Sequence, residues 1–146
     1  MDYFNSFDIS ASGMAVQKVV LDTVALNLAN VNTTRNASGE PYSPLQVVIS
    51  EKTGQSFASH MAGHQSPQLS LGAEVAEIVP LLAEPRLRHE PDHPDANADG
   101  FVAYPNINPV SEMVNLMQAT RAYEANVRAL NAAKTMALHA LEIGGG

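Results

Sequence analysis

The stretch NPVSEMVNLMQATRAYEANVRALNAAKTMALHALEIGGG, residues 108–146, decides the architecture. Pro109 suits a first helical turn, with Asn108 before it as cap. Glu112 stands near the start, where a carboxylate complements the helix dipole. Met113, Leu116, Thr120, Tyr123, Val127, Leu130, Lys134, Ala137 and Leu141 then step by three and four, with Thr120 and Lys134 as the polar exceptions. That spacing predicts a heptad-like seam on one long helix from about Asn108 to Ile143. A second row, Val110, Val114, Met117, Ala133, Met136 and Ala140, widens its apolar face. Gly144–Gly146 ends it. At 1.5 Å per residue it reaches roughly 50 Å.

Working outward, the other end of the chain repeats the pattern. Met14, Leu21, Val24, Ala25, Leu28 and Val31 recur at helical spacing, and no proline interrupts them. A second amphipathic helix is expected from about Asp8 to Val31, capped by Asp8 or Ser10. Asn27, Asn30 and Asn32 cluster at its end, where asparagine favours helix exits.

Between them, Thr33 to Asn106 holds most of the prolines. Leu45–Ile49 and Val75–Leu82 read as strands, and Thr53–Ser70 as a Gly/Ser/Gln-rich loop. The expected fold is α+β: long N- and C-terminal helices forming a coiled-coil-like pair, with a small β-rich insert between them. The expected divisions are 1–32, 33–106 and 107–146. The middle is poor in large apolar residues, so the apolar stripes of the helices need partners.

Composition narrows function. The net charge is −7, with eight scattered basic residues, which argues against nucleic acid as a partner. There is no cysteine, so disulfides, thiolate zinc sites and cysteine nucleophiles are excluded. Charged residues make up only 16% of the chain, below the roughly 25% of average domains. No unbroken apolar run approaches 18 residues, so no transmembrane helix and no membrane insertion are expected. The first basic residue is Lys18, and Asp2 and Asp8 stand where a secretory signal carries positive charge, so no cleaved signal is expected.

Candidate chemistry is sparse. Asp95-Ala96-Asn97-Ala98-Asp99-Gly100 opens like a calcium loop, but the closing glutamate position holds Asn106, and an Asx-rich turn is the expectation. His60/His64 and His89/His93 have the spacing of helical zinc ligands, but Gly63, Pro91 and Pro94 argue against helix there, so surface histidines are expected. Glu74, Glu77, Glu84, Glu90 and Asp92 read as a solvated acidic face, with Arg86 and Arg88 among them as ion-pair partners. No nucleophile elbow, P-loop or dinucleotide fingerprint occurs. No catalytic residue, cofactor, metal or small-molecule substrate is expected. Glu124 and Arg128 form an i,i+4 pair, and Arg121 and Tyr123 are candidates for bonds across subunits.

Several stretches resemble a known family. Asn27-Leu28-Ala29-Asn30-Val31-Asn32-Thr33 resembles the signature that closes the N-terminal helix of bacterial flagellar rod and hook proteins. Gly39-Glu40-Pro41-Tyr42, Gln46-Val47-Val48, Glu90-Pro91-Asp92-His93-Pro94-Asp95-Ala96, Gly100-Phe101-Val102 and Pro105-Asn106 resemble its proximal-rod branch. So do Glu112-Met113-Val114-Asn115, Met117, Ala119, Arg121, Tyr123 and Ala125-Asn126-Val127. The motif positions are Asn27, Asn30, Glu112, Asn115, Arg121 and Asn126. His89 stands where the family commonly has an aromatic, and Gln55–Gln68 falls in a variable loop.

The resemblance implies a structural subunit of the basal-body rod, the drive shaft that crosses the periplasm and transmits motor torque. It implies export through the flagellar type III apparatus without a cleaved signal. Its partners would be other rod proteins and copies of itself in a helical assembly. Its helices would pair as a coiled coil on the rod's inner wall. The subunit interface is expected at Met14, Leu21, Val24, Leu28, Val31, Met113, Val114, Met117, Tyr123, Val127, Leu130 and Leu141. The competing expectation is a soluble helical adaptor or export chaperone, a well-folded dimer or tetramer where a rod subunit would be a monomer with frayed termini.

Overall fold

The computed structural model describes residues 3–37, 39–54 and 69–144. Helix α1 spans Tyr3–Ala29 and helix α2 spans Pro109–Gly144. Between them lie β1 (Leu45–Gly54), β2 (Leu69–Pro80), β3 (Arg86–His89) and β4 (Phe101–Tyr104). β1 pairs with β2, and β3 pairs antiparallel with β4 in the register Arg86↔Tyr104 to His89↔Phe101. The fold is α+β, two long helices with small sheets between them, as the sequence pattern predicts.

α1 begins earlier than expected, so Asp8 and Ser10 are interior residues and not caps. No proline or glycine lies between Tyr3 and Asp8 to stop the helix, and half-buried Phe7 carries the apolar side back by a turn. Asp8 is exposed and Ser10 is buried. The stretch Asn5–Ala29 is also long and apolar enough, by length and composition, to cross a membrane. That corrects the expectation drawn from unbroken apolar runs. Isolated, exposed charges at Asp8, Lys18 and Asp22 interrupt a stretch whose average is still strongly apolar.

The start of α2 is as expected. The Asn108 Oδ1 accepts from the Val110 N–H at 3.0 Å and from the Ser111 N–H at 3.4 Å, satisfying two of the orphan donors of the first turn. The expected strand at Leu45–Ile49 is the first half of β1, and that at Val75–Leu82 overlaps β2, which stops at Pro80. The ends of the expected Thr53–Ser70 loop belong to these strands, and residues 55–68 lie outside the described residues. β3 and β4 were not foreseen, because four-residue strands are too short to display an alternation.

The chain divides into two compact units, Met1–Val19 with Ile49–Ala76 and Ala119–Gly146, and Val20–Val48 with Glu77–Gln118. In the first, Ser10, Val16, Ala119 and Ala133 are buried. A Cβ added at Gly13 would stand 2.9 Å from Asn126 Nδ2, so α1 and α2 approach closely there, as small residues permit. Gly72 has φ +114°, and a Cβ on it would collide with the Ser12 hydroxyl, which accepts from the Ala73 N–H at 3.2 Å. Glycine therefore serves there both for its backbone and for its lack of a side chain.

In the second unit, Val102, Tyr104, Pro105 and Ile107 are buried together with Thr23, Val24, Asn27 and Pro44. β4 alternates, turning Val102 and Tyr104 inward and Phe101 outward. The segment joining β3 to β4 is a run of turns. The Asn97 Oδ1 accepts from the Asp99 N–H at 3.0 Å and the Phe101 N–H at 2.9 Å, the expected Asx turn, and Gly100 takes φ +77°. Asp95 accepts from the Thr34 hydroxyl at 2.8 Å and meets Arg35 at 3.5 Å, which ties the exit of α1 to this segment. His89 lies in β3 and packs edge-on against Phe101. His93 accepts from the Asp95 N–H through Nδ1 at 3.1 Å. His60 and His64 lie outside the described residues. Arg88 pairs with Glu90 at 2.9 Å, as its place among the acidic residues implied.

Candidate assembly interface

Two features stand out: a buried polar junction and an exposed apolar patch, both in the second unit. The junction centres on Asn27, only 4% exposed. Its Oδ1 accepts from the Leu45 N–H at 2.9 Å and from the Tyr42 hydroxyl at 3.0 Å. Its Nδ2 donates to the Leu45 carbonyl at 2.9 Å and to Glu112 Oε2 at 3.3 Å. Both lone pairs and both protons of the amide are thus used, which is the full capacity of asparagine. One side chain on α1 thereby fixes the start of β1, the connection before it and the first turn of α2.

Glu112 is held from its own helix as well, its Oε1 accepting from Asn115 Nδ2 at 3.3 Å. Burial, and then the Glu112 carboxylate, push the Tyr42 hydroxyl above its ordinary pKa. A hydrogen bond of 2.7 Å to Glu90, then burial, do the same for Tyr104. Asn30 closes α1 locally, its Nδ2 donating to the Leu26 carbonyl at 2.9 Å and its Oδ1 accepting from the Thr33 hydroxyl at 3.1 Å.

The inward side of α2 overlaps the heptad seam in part, at Leu116, Val127, Leu130 and Ala137. Its buried or half-buried residues include Glu112, Leu116, Ala119, Ala122, Asn126, Val127, Leu130, Ala133 and Ala137. Met113, Thr120, Tyr123, Lys134 and Leu141 of the expected seam are exposed. At Gly13 and at Asn27, α1 meets α2 through Asn126 and Glu112, while Leu116, Val127 and Leu130 of the seam are half-buried. Of the expected interface positions on α1, Val24 is buried, and Met14, Leu21 and Leu28 are half-buried, as is Val31 in the turn just beyond the helix.

Among the exposed apolar residues, four share one helix face. Val110, Met113, Val114 and Met117 are 69%, 57%, 41% and 52% exposed. They stand at i, i+3, i+4 and i+7, the spacing of one helix face. Further along α2, Arg121, Glu124 and Arg128 are exposed, the last two 3.8 Å apart as an exposed pair. Exposed pairs of this kind contribute little. A second exposed apolar set, Met136, Leu138, Leu141 and Ile143, lies towards the end of α2 in the other unit.

Residues 98–143, β4 and nearly all of α2, match the model of the family described as flagellar basal body rod FlgEFG protein C-terminal. Over 99% of its length the chain is 42% identical to the flagellar basal-body rod protein FlgC of Bacillus subtilis, covering 99% of that protein. The chain belongs to the FlgC family of flagellar basal-body rod proteins. The FlgC of Salmonella typhimurium is 37% identical with 99% of both chains covered, and that of Borreliella burgdorferi 31% with 98% of both covered.

Of the family motif positions, Asn27, Glu112 and Asn115 come together in the junction. Asn126 instead packs on Gly13 and donates to the Ala122 carbonyl at 3.0 Å. Asn30 works alone at the end of α1, and Arg121 is exposed. Beyond its place in a family stretch, Tyr42 carries no sequence signal for its position in the junction. Gly13 could have been noticed as a lone glycine inside a helical pattern, which usually marks a close contact.

Proposed function

We propose that this chain is a structural subunit of the flagellar basal-body rod, built to be covered by neighbours. The observation that carries the reading is the face Val110, Met113, Val114 and Met117 on α2, apolar and exposed, on a chain of this family. Covering the exposed half of four such side chains contributes about 4 kcal/mol per contact, taking about 2 kcal/mol for a fully buried one. Repeated head to tail without closing into a ring, such a contact produces a helical tube.

Its neighbours are copies of itself and other rod proteins, and its task is mechanical: torque passes through it across the periplasm as part of the proximal rod. It acts without catalysis and needs no cofactor. The chain leaves the cytoplasm through the flagellar type III apparatus. α1 serves as a packed helix of the subunit, its buried Asn27 satisfied by protein groups, and not as a membrane anchor. The half-buried members of the expected interface, Met14, Leu21, Leu28, Val31, Val127 and Leu130, serve the subunit's own packing first and border its contacts.

The test is direct. Basal bodies are isolated from the source bacterium in detergent and analysed by mass spectrometry, with the chain wild type or carrying Val114→Asp together with Met117→Asp. The wild-type chain is expected at a fixed ratio to other rod proteins, and the double variant is expected to be absent from them. Recovery of the wild-type chain only as a soluble dimer or tetramer would mark an adaptor or chaperone instead.

A further inference from the structure

The exposed face of α2 is chemically uneven in a way that matters. Two of its four residues are methionines, Met113 and Met117, one helical turn apart and each more than half exposed. Elsewhere among the described residues, Met14 is half-buried in α1, and Met136, exposed too, stands near the other end of α2 with no second methionine beside it. The chain has no cysteine, so no thiol of its own competes for a two-electron oxidant, and thioethers become its foremost targets. We infer that Met113 and Met117 form a peroxide-sensitive modification site, whose oxidation on the free subunit blocks assembly. This rests on the assembly reading above.

The chemistry balances without any further reagent. The thioether sulfur attacks one oxygen of hydrogen peroxide, the O–O bond breaks, and an S=O bond forms. The sulfur loses two electrons, and the other peroxide oxygen leaves as hydroxide, which takes the proton from the new S–OH group to become water. The product is polar and chiral where the side chain was apolar and flexible. Methionine is well suited to a contact that must adapt to more than one neighbour, because its unbranched chain fills irregular gaps. The same choice exposes the face to oxidation. A sulfoxide oxygen buried between subunits without a donor loses its hydration uncompensated. Among the described residues, both side chains are exposed and lie outside the buried interior, so the change leaves that interior undisturbed. The sensitivity is therefore confined to the interval before docking, and the assembled contact shields its own methionines.

The experiment uses cells lacking the chromosomal copy, in which the full chain is induced with or without sub-lethal hydrogen peroxide. Completed basal bodies are counted, and the oxidation of each methionine is read by peptide mass. The chain is wild type, Met113→Leu/Met117→Leu, Met113→Gln/Met117→Gln or Val114→Asp. Peroxide is expected to lower the wild-type count several-fold, with sulfoxide at Met113 and Met117 in the unincorporated pool and little in assembled rods. The leucine variant, apolar and not oxidisable, is expected to lose nothing. The glutamine variant is expected to fail even without peroxide. Equal loss in the wild-type and leucine strains overturns the inference, as does normal assembly of the glutamine variant. If Val114→Asp assembles normally, the assembly face itself has been misplaced, and the inference falls with it for that separate reason.

Discussion

Replacing Asn27 by aspartate tests the junction with almost no change of shape. The substitution keeps the oxygen that accepts from the Leu45 N–H and the Tyr42 hydroxyl. It replaces the amide nitrogen, which donates to the Leu45 carbonyl at 2.9 Å and Glu112 Oε2 at 3.3 Å, with a second acceptor. Two hydrogen bonds are lost, about 1 kcal/mol each. Two carboxylates then face each other, a repulsion whose ceiling is about 4 kcal/mol at 4 Å and an effective dielectric near 20. Glu112 is only half-buried, so solvent takes much of that away. The expected loss is about 3 kcal/mol at pH 7, or roughly 6–12 °C in Tm for a chain of this size.

The pH dependence follows from the pair. Repulsion raises one carboxyl of the pair above its unfolded value near 4, so the folded variant holds a proton more readily than the unfolded chain. The deficit is full above that raised value and shrinks as pH falls through it, because the protonated group becomes a donor to its neighbour. Thermal unfolding of the purified chain at pH 7 and at pH 4.5 (roughly the carboxyl range), followed by far-UV circular dichroism, reads both effects. Equal Tm for variant and wild type at pH 7 would refute the account of Asn27 as the saturated centre of this unit.

Other expectations are simpler. Asn108→Ala removes the cap of α2 and should cost about 1 kcal/mol in urea unfolding, while Asn108→Ser should restore most of it. Gly13→Leu should cost about 1–3 kcal/mol by driving a side chain into Asn126, and Asn126→Ala in the same chain should recover part of that. The Tyr42 hydroxyl, raised by burial and then by Glu112, contributes stability that is full below the unfolded value near 10 and is lost as pH rises through the higher folded value. Tyr42→Phe should therefore flatten the alkaline limb of the stability profile measured between about pH 9 and 12.

The sequence by itself determined the two helices, because apolar spacing over dozens of residues is a local property that no partner has to supply. It determined the start of α2, since a cap and a first-turn proline act within one turn. It determined the Asx turn at Asn97, where the side chain bonds its own backbone. It also carried the family resemblance that the full-length relatives bear out.

Tertiary structure alone decided how much of the α2 stripe is covered. Periodicity marks an apolar stripe but not which of its residues a neighbouring element covers, and here Leu116, Val127 and Leu130 are half-buried while Met113 and Met117 stay outside. It alone decided that Asn27, read from sequence as a helix-exit residue, is the buried meeting point of α1, β1 and α2. The reason is the same in both cases. Its partners lie 15 to 85 residues away along the chain, and such contacts leave no periodic trace in the residues that make them.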